Sequence, residues 1–124
     1  MPVPILKQGR VLIASIQAAL LDRDLVQLRD EIAGQIGRFR SRGVIIDVMA
    51  LDVLDSFATR TLRSIAYTAK LRGANTVIVG IQPDVAFAMV QLGLSLDGIA
   101  TALDLEEGLA HLDSVAGQGG RRGR

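Results

Sequence analysis

The sequence of 124 residues lacks cysteine and tryptophan and contains a single histidine, His111. Without cysteine the chain has no disulfides and no thiolate metal ligands, which suits a reducing compartment. One histidine is too few for an ordinary zinc site. His111 falls near the solvent side of a predicted helix, far along the chain from any candidate nucleophile, so a serine–histidine–acid triad is not expected. Carboxylates and hydroxyls remain as the groups for a site.

Aromatic residues and net charge are also scarce. Aromatic residues make up 3% of the chain and hydrophobic residues 49%, so the core must be built from aliphatic side chains. The formal net charge is +1, so no overall field attracts nucleic acid or an anionic membrane. No apolar run approaches the ~20 residues that span a bilayer, and no N-terminal segment has the pattern of a signal peptide. We therefore expect a cytoplasmic, single-domain protein that binds neither nucleic acid nor membranes.

The hydrophobic pattern alternates between strands and helices. Short β-branched runs predict strands, and apolar residues at helical spacing predict amphipathic helices. The predicted strands are 2–7, 11–16, 44–48, 75–80 and 100–102, and the predicted helices start near 22, 56, 84 and 104. This order favours an α/β fold: a mostly parallel sheet of about five strands with an antiparallel N-terminal edge, packed with about four helices.

Capping residues, proline and glycine in the sequence also predict where the helices begin and end. Asp22 or Asp24 is expected near the N-cap of the first helix, with Gly43 after its end. Pro83 is expected to open the third helix. Asp104 is expected to cap the last one, with Glu107 as its capping-box partner.

The C-terminal segment differs in composition from the rest of the chain. Residues 115–124 are rich in glycine and arginine and contain few bulky apolar side chains. Such composition is typical of disorder. The sequence thus predicts a folded domain over residues 2–114 and a basic, disordered tail over residues 115–124.

One junction concentrates the remaining polar chemistry. The buried strand that ends at Asp47 runs into a loop, and the loop ends in Asp55-Ser56 where a helical pattern begins. Asp47, Asp52 and Asp55 are suitable oxygen ligands for Mg²⁺. The alternative to a metal site is that Asp47 and Asp52 satisfy loop amides and Asp55 favours the dipole of the following helix. The chain contains neither a GxxxxGK[ST] phosphate loop nor a GxGxxG turn after a strand.

Ser56 itself has two readings. Serine is a favoured N-cap residue, which explains its presence without any further role. Alternatively, its hydroxyl accepts a phosphate from a partner kinase, which adds about −1.5 to −2 charge. A helix N-terminus favours that charge, and Arg60 lies one turn further on. Thr59 stands in the third position, where a complete capping box has Glu or Gln.

Several blocks of the chain resemble STAS domains, the anti-sigma-factor-antagonist fold. The blocks are residues 4–7, 43–47, 54–57, 80–83, 92–94 and 101–109. The last two blocks and the short length are similar to RsbS, the small STAS protein of the bacterial stressosome. The resemblance covers about residues 2–114 and leaves out the tail.

This resemblance implies a non-enzymatic scaffold without cofactor or metal. RsbS-type proteins form a large cytoplasmic assembly with sensor-STAS paralogues of the RsbR type, and we expect a homodimer within it. The assembly holds an RsbT-like serine/threonine switch kinase until the STAS proteins are phosphorylated under stress. The family's phosphoacceptor falls on Ser56, with Thr59 as a second acceptor. The expected partner-binding surface comprises Asp52, Asp55, Phe57 and Arg60.

Two other functions fit the same residues. A stand-alone anti-sigma-factor antagonist would use the same serine, switched by an anti-sigma kinase. A small Mg-dependent α/β enzyme would use the three carboxylates beside Ser56. The size of the assembly distinguishes a stand-alone antagonist from a stressosome scaffold. Stoichiometric Mg²⁺ binding would favour the enzyme.

Overall fold

The structure is a computed structural model that describes residues 3–18 and 20–122, with side chains described as far as Ala116. It contains five strands and four helices. The strands are β1 (Ile5–Gln8), β2 (Val11–Ser15), β3 (Gly43–Asp47), β4 (Asn75–Val79) and β5 (Ala100–Ala102). The helices are α1 (Asp22–Phe39), α2 (Ser56–Leu71), α3 (Pro83–Gln91) and α4 (Leu105–Arg122).

The strands form one sheet in the order β1-β2-β3-β4-β5. β1 pairs antiparallel with β2, and the other three pairings are parallel. Each parallel pairing needs a long crossover, and α1, α2 and α3 supply the three crossovers. The predicted α/β class, strand number and antiparallel edge are confirmed. β1 is shorter than predicted, because it begins at Ile5, after Pro4.

The helices lie on the two faces of the sheet and form two separate cores. Residues of α1, α2 and α3 pack with alternate sheet residues in the larger core, which includes Leu12, Ile46, Leu62 and Ile65. α4 covers the other face, where Leu112 packs with strand residues of the opposite alternation. The central strand β3 is therefore buried on both faces, as its continuous apolar run predicts.

Two glycines set how closely α4 approaches the sheet. A Cβ added at Gly108 would stand 2.8 Å from Val79 Cγ1, and one added at Gly43 would stand 2.8 Å from Leu112 Cδ1. Real Cβ atoms do not approach other heavy atoms so closely. The missing side chains thus let the helix pack directly on β3 and β4.

The helix ends differ in part from prediction. Asp22 and Asp24 lie near the N-cap of α1 as predicted: the N-cap is Leu21, Asp22 follows it directly, and Asp24 Oδ2 accepts the Leu21 N–H at 3.2 Å from within the first turn. α1 also ends before Gly43, with Arg40 in the left-handed region at φ 52°. Pro83 opens α3 as predicted. At α4, Asp104 Oδ1 accepts the Glu107 N–H at 2.9 Å, and Glu107 Oε1 accepts the Leu103 N–H at 3.3 Å.

Helix α4 reaches further than the sequence predicts. Its backbone continues to Arg122, through most of the segment for which the composition predicts disorder. The prediction of an end near residue 114 rested on the glycine-rich and basic composition of the segment that follows. Within the described residues, no helix is long and apolar enough to cross a bilayer.

Candidate functional site at the β3–α2 junction

The loop between β3 and α2 is tied to the neighbouring strand end. Asp47 Oδ1 accepts the Met49 N–H at 2.9 Å, which turns the chain as soon as β3 ends. The Val48 N–H donates to the Val79 carbonyl at 3.0 Å. Gln82 Nε2 then donates to the Met49 carbonyl at 2.6 Å. The loop that leads to Ser56 is thus held by hydrogen bonds from three separate positions.

Gly80 makes this close approach possible. Its φ is +81°, a conformation that L side chains rarely adopt. A Cβ at this position would stand 2.9 Å from Met49 Cβ and 3.2 Å from Asp47 Oδ1. Only glycine leaves room for the chain after β4 beside the loop after β3.

Two leucines anchor the second half of the loop. Leu51 and Leu54 are 6% and 5% exposed and belong to the larger core. Asp52 and Val53 between them are exposed, Val53 at 71%. Burial of the leucines places the following residue, Asp55, at the start of α2.

Asp55 is the N-cap of α2. Its backbone is extended (φ −78°, ψ 180°), and its Oδ1 accepts the Ala58 N–H at 2.7 Å. Its carbonyl accepts the Thr59 N–H at 2.9 Å. The prediction that Ser56 is the N-cap is therefore wrong. Ser56 already has helical geometry, and Asp55 is the last residue with extended backbone.

Ser56 is consequently the first helical residue, and it is exposed. Within the described part of the chain, no hydrogen bond involves its hydroxyl. Ser56 does not cap the helix, because Asp55 before it accepts the N–H that a capping side chain binds. Its hydroxyl stands at the positive end of the α2 dipole and is open to solvent.

Thr59, one turn further on, has the opposite environment. Its side chain is 1% exposed, and its hydroxyl donates to the Asp55 carbonyl at 2.8 Å. A kinase would have to open the first turn of α2 to reach this oxygen. Of the two hydroxyls, only that of Ser56 is accessible in this conformation.

The other residues of the expected partner surface divide between core and solvent. Asp52 and Arg60 are exposed, and Phe57 is half-buried against the larger core. Arg60 forms no ion pair with any carboxylate that the structure describes. Asp52, Asp55, Ser56 and Arg60 are thus all exposed to solvent, whereas Phe57 is only half-exposed.

The three aspartates do not share an ion-binding geometry. Asp47 Oδ1 accepts the Met49 N–H, as predicted for the case without a metal. Asp55 lies at the N-terminus of α2, where its charge was predicted to favour the helix dipole, and its Oδ1 also accepts the Ala58 N–H. Asp52 forms no hydrogen bond with a loop amide among the described residues, contrary to that reading. No group of three potential metal ligands occurs in the part of the chain that the structure describes.

The end of the sheet at which Ser56 lies is rich in carboxylates although the whole chain carries +1. β2 to β5 all end at this edge, so each of the four helices begins here, and helix N-terminal turns favour acidic side chains. The carboxylates at this end belong to Asp22, Asp24, Asp47, Asp52, Asp55, Asp84, Asp104, Glu106 and Glu107. Two cations, Arg23 and Arg60, lie in the first turns of α1 and α2 at the same end. The opposite edge carries Arg10, Arg38, Arg40, Arg42, Lys70 and Arg72, together with Asp97. Net charge alone did not reveal this separation.

The fold and junction agree with a known family. The model of the STAS domain family matches residues 3–108. This chain belongs to the STAS domain family. Its fold, with an antiparallel edge strand, a parallel sheet and four helices, is a single STAS domain.

Solved STAS structures are similar over nearly their whole length. A serine-to-glutamate variant of Moorella thermoacetica RsbS is 39% identical with a TM-score of 0.79, and the alignment covers 92% of this chain and 97% of that one. A chain from a structure of the stressosome, described as a signal integration and transduction hub, is 37% identical with a TM-score of 0.74. That alignment covers 91% of this chain and 98% of the other.

A longer relative is similar over part of its length. The RsbT co-antagonist protein RsbRA of Bacillus subtilis (strain 168) is 25% identical over 83 residues, which are 67% of this chain. The matched region is 30% of RsbRA. The chain therefore spans less than a third of the length of this curated relative.

Proposed function

We propose that this STAS protein is a non-enzymatic scaffold and phosphorylation switch of a bacterial stressosome, in the cytoplasm. In this role it holds an RsbT-like serine/threonine kinase until Ser56 is phosphorylated. The proposal rests on the different roles of two adjacent residues at the start of α2. Asp55 caps the helix through its bond to Ala58, and Ser56 remains exposed without a partner among the described residues.

The local electrostatics explain how the phosphate is tolerated. Phosphate on Ser56 would lie at the N-terminus of a 16-residue helix, where backbone N–H groups and the dipole stabilise negative charge. Arg60 is one turn away and free of carboxylate partners within the described chain. The cap and the buried anchors Leu51 and Leu54 do not involve the Ser56 hydroxyl. Modification should therefore leave the fold intact.

The same charge would alter the kinase contact. A kinase brings the phosphate groups of its nucleotide to the acceptor hydroxyl, so a phosphate already present on Ser56 meets like charge there. Asp52 and Asp55, which are exposed in the segment before Ser56, add to the repulsion. Like-charge contacts at an interface lower affinity and favour release. The kinase would thus bind the unmodified surface and leave the phosphorylated one.

Similarity supports the assembly part of the proposal. RsbS and a stressosome chain are both over 35% identical and covered almost completely. RsbRA, named as an RsbT co-antagonist, shares the STAS region. We propose a homodimer of this chain in a large particle with an RsbR-type sensor paralogue.

The decisive experiment maps the phosphate. The purified chain is incubated with an RsbT-type kinase and ATP, and the product is analysed by peptide mass spectrometry. We expect one phosphate on Ser56, none on Thr59, and no incorporation in Ser56→Ala. Thr59→Val is the matched control and should still be phosphorylated at Ser56. Unmodified Ser56 in the wild type, or full incorporation in Ser56→Ala, would contradict the proposal.

Assembly requires a separate measurement. Size-exclusion chromatography of the chain mixed with an RsbR-type paralogue should yield a very large particle that contains both proteins. A small species that persists in the mixture would favour the stand-alone anti-sigma-factor antagonist instead.

A further inference from the structure

A small apolar cavity opens at the β3–α2 junction. It has a volume of about 100 Å³ and lies between the start of α1, the β3–α2 loop and the first turns of α2. Its apolar lining includes Leu20, Leu54 and Ala58, and the carboxylates of Asp22 and Asp55 also line it. Ser56 does not line the cavity, but Asp55, which immediately precedes it in the chain, does.

The size of the cavity limits its occupant. Pockets for drug-sized ligands and cofactors measure roughly 300–1,000 Å³, whereas an apolar cavity of about 150 Å³ accommodates a benzene ring. A space of about 100 Å³ therefore suits one aliphatic side chain. A side chain presented by another protein fits this description, and a free cofactor does not.

Two carboxylates that line the cavity limit the chemistry of its occupant further. Asp22 is exposed and forms no ion pair within the described part of the chain, and Asp55 uses only Oδ1 for the helix cap. No basic residue lines the cavity. A partner that inserts an apolar group here must bring it past two carboxylates, and a lysine or arginine beside that group would pair with them.

We infer that this cavity receives one aliphatic side chain of the switch kinase, flanked by a lysine or arginine that pairs with Asp22 and Asp55. The inference rests on the proposed function, because it names the chemistry by which the kinase recognises the surface around Ser56. An apolar group buried in a fitted pocket is the kind of contact that dominates the energy of an interface. The exposed Val53 at the edge of the cavity extends the apolar contact.

The first test enlarges a side chain that lines the cavity. Ala58→Leu places a larger side chain in the space, and we expect its Kd for an RsbT-type kinase, measured by calorimetry without ATP, to rise about tenfold or more. Ala66→Leu is the matched control, because Ala66 is also half-buried on α2 but does not line the cavity. It should bind as the wild type does. Equal affinity of Ala58→Leu and the wild type would overturn the inference.

The second test separates local pairing from general attraction. Asp22→Lys and Asp84→Lys each reverse one charge in the first turn of a helix at the acidic end, but only Asp22 lines the cavity. We expect Asp22→Lys to weaken binding several-fold more than Asp84→Lys. Equal loss in the two variants contradicts pairing at the rim.

A third measurement does not depend on any variant folding. Methyl NMR signals of Leu20, Leu54 and Ala58 in the wild-type chain should shift when the kinase is added, and their absence from the perturbed set would refute the inference. Phosphorylation of Ser56 in the wild type is followed in parallel. If Ser56 is phosphorylated but these methyl groups do not respond, the cavity inference alone fails. If Ser56 is not phosphorylated, the proposed function itself fails.

Discussion

Replacement of Asp55 by alanine tests the assignment of the α2 cap, on which the accessibility of Ser56 depends. The change removes the carboxylate that accepts the Ala58 N–H at 2.7 Å. It leaves the backbone bond from Thr59 to the carbonyl of residue 55 in place. The comparison variant is Ser56→Ala, which removes a hydroxyl that has no hydrogen bond within the described residues.

The expected magnitudes differ clearly. Loss of an N-cap side chain costs about 1 kcal/mol, with a range of about 0.5–2. Loss of a carboxylate near the helix N-terminus adds about 0.3–1 kcal/mol at an exposed site such as this one. We therefore expect Asp55→Ala to lower the free energy of unfolding by about 1–2 kcal/mol. Ser56→Ala should stay within about 0.5 kcal/mol of the wild type, as is usual for exposed positions without such a role.

Thermal and urea unfolding followed by circular dichroism measure the difference. With an unfolding entropy of about 2.1 cal/mol/K per residue over this chain, 1–2 kcal/mol corresponds to a decrease in Tm of about 4–8 °C. Asp55→Asn and Asp55→Ser are the matched controls. Both retain a good capping acceptor and should recover most of the loss.

One pattern of results would refute the assignment. If Ser56→Ala destabilised the protein by about 1 kcal/mol or more and Asp55→Ala did not, the serine would be the true cap. Its hydroxyl would then be engaged in the helix start. Phosphorylation would in that case compete with helix capping.

Three further predictions follow from the same structure. Leu62→Ala, at a fully buried position of the larger core, should lower the free energy of unfolding by about 2–5 kcal/mol in urea titrations, and a loss below 1 kcal/mol would contradict its burial. Gly80→Ala should cost about 1–3 kcal/mol because its φ is +81° and the new Cβ would meet Met49; an unchanged Tm would count against this geometry. Ser56→Asp should fold with wild-type stability, because a carboxylate suits the first turn of a helix, but should retain less of an RsbT-type kinase in a pull-down; equal retention argues against the switch.

The sequence predicted the elements well because their signals are local. Continuous apolar runs bounded by glycine marked β3 and β4, and apolar residues at helical spacing marked α1 and α2. Pro83 marked the start of α3 for a local steric reason. The N-cap of α2 was misassigned to Ser56. An N-cap depends on which residue is the last with extended backbone, and adjacent polar residues such as Asp55 and Ser56 are both suitable by type.

The sequence alone determined the family, the α/β class and the Asp55-Ser56 pair at the start of a helix. The tertiary structure decided the different environments of two hydroxyls only one turn apart. Thr59 points into the core and Ser56 points to solvent because α2 packs one face against the sheet. The tertiary structure also forms the cavity, by bringing together the segments around Leu20, Leu54 and Ala58. No local sequence pattern predicts that these segments lie close together. Finally, parallel pairing placed all four helix starts at one edge, which gathers carboxylates at the end where Ser56 lies in a chain whose net charge is +1.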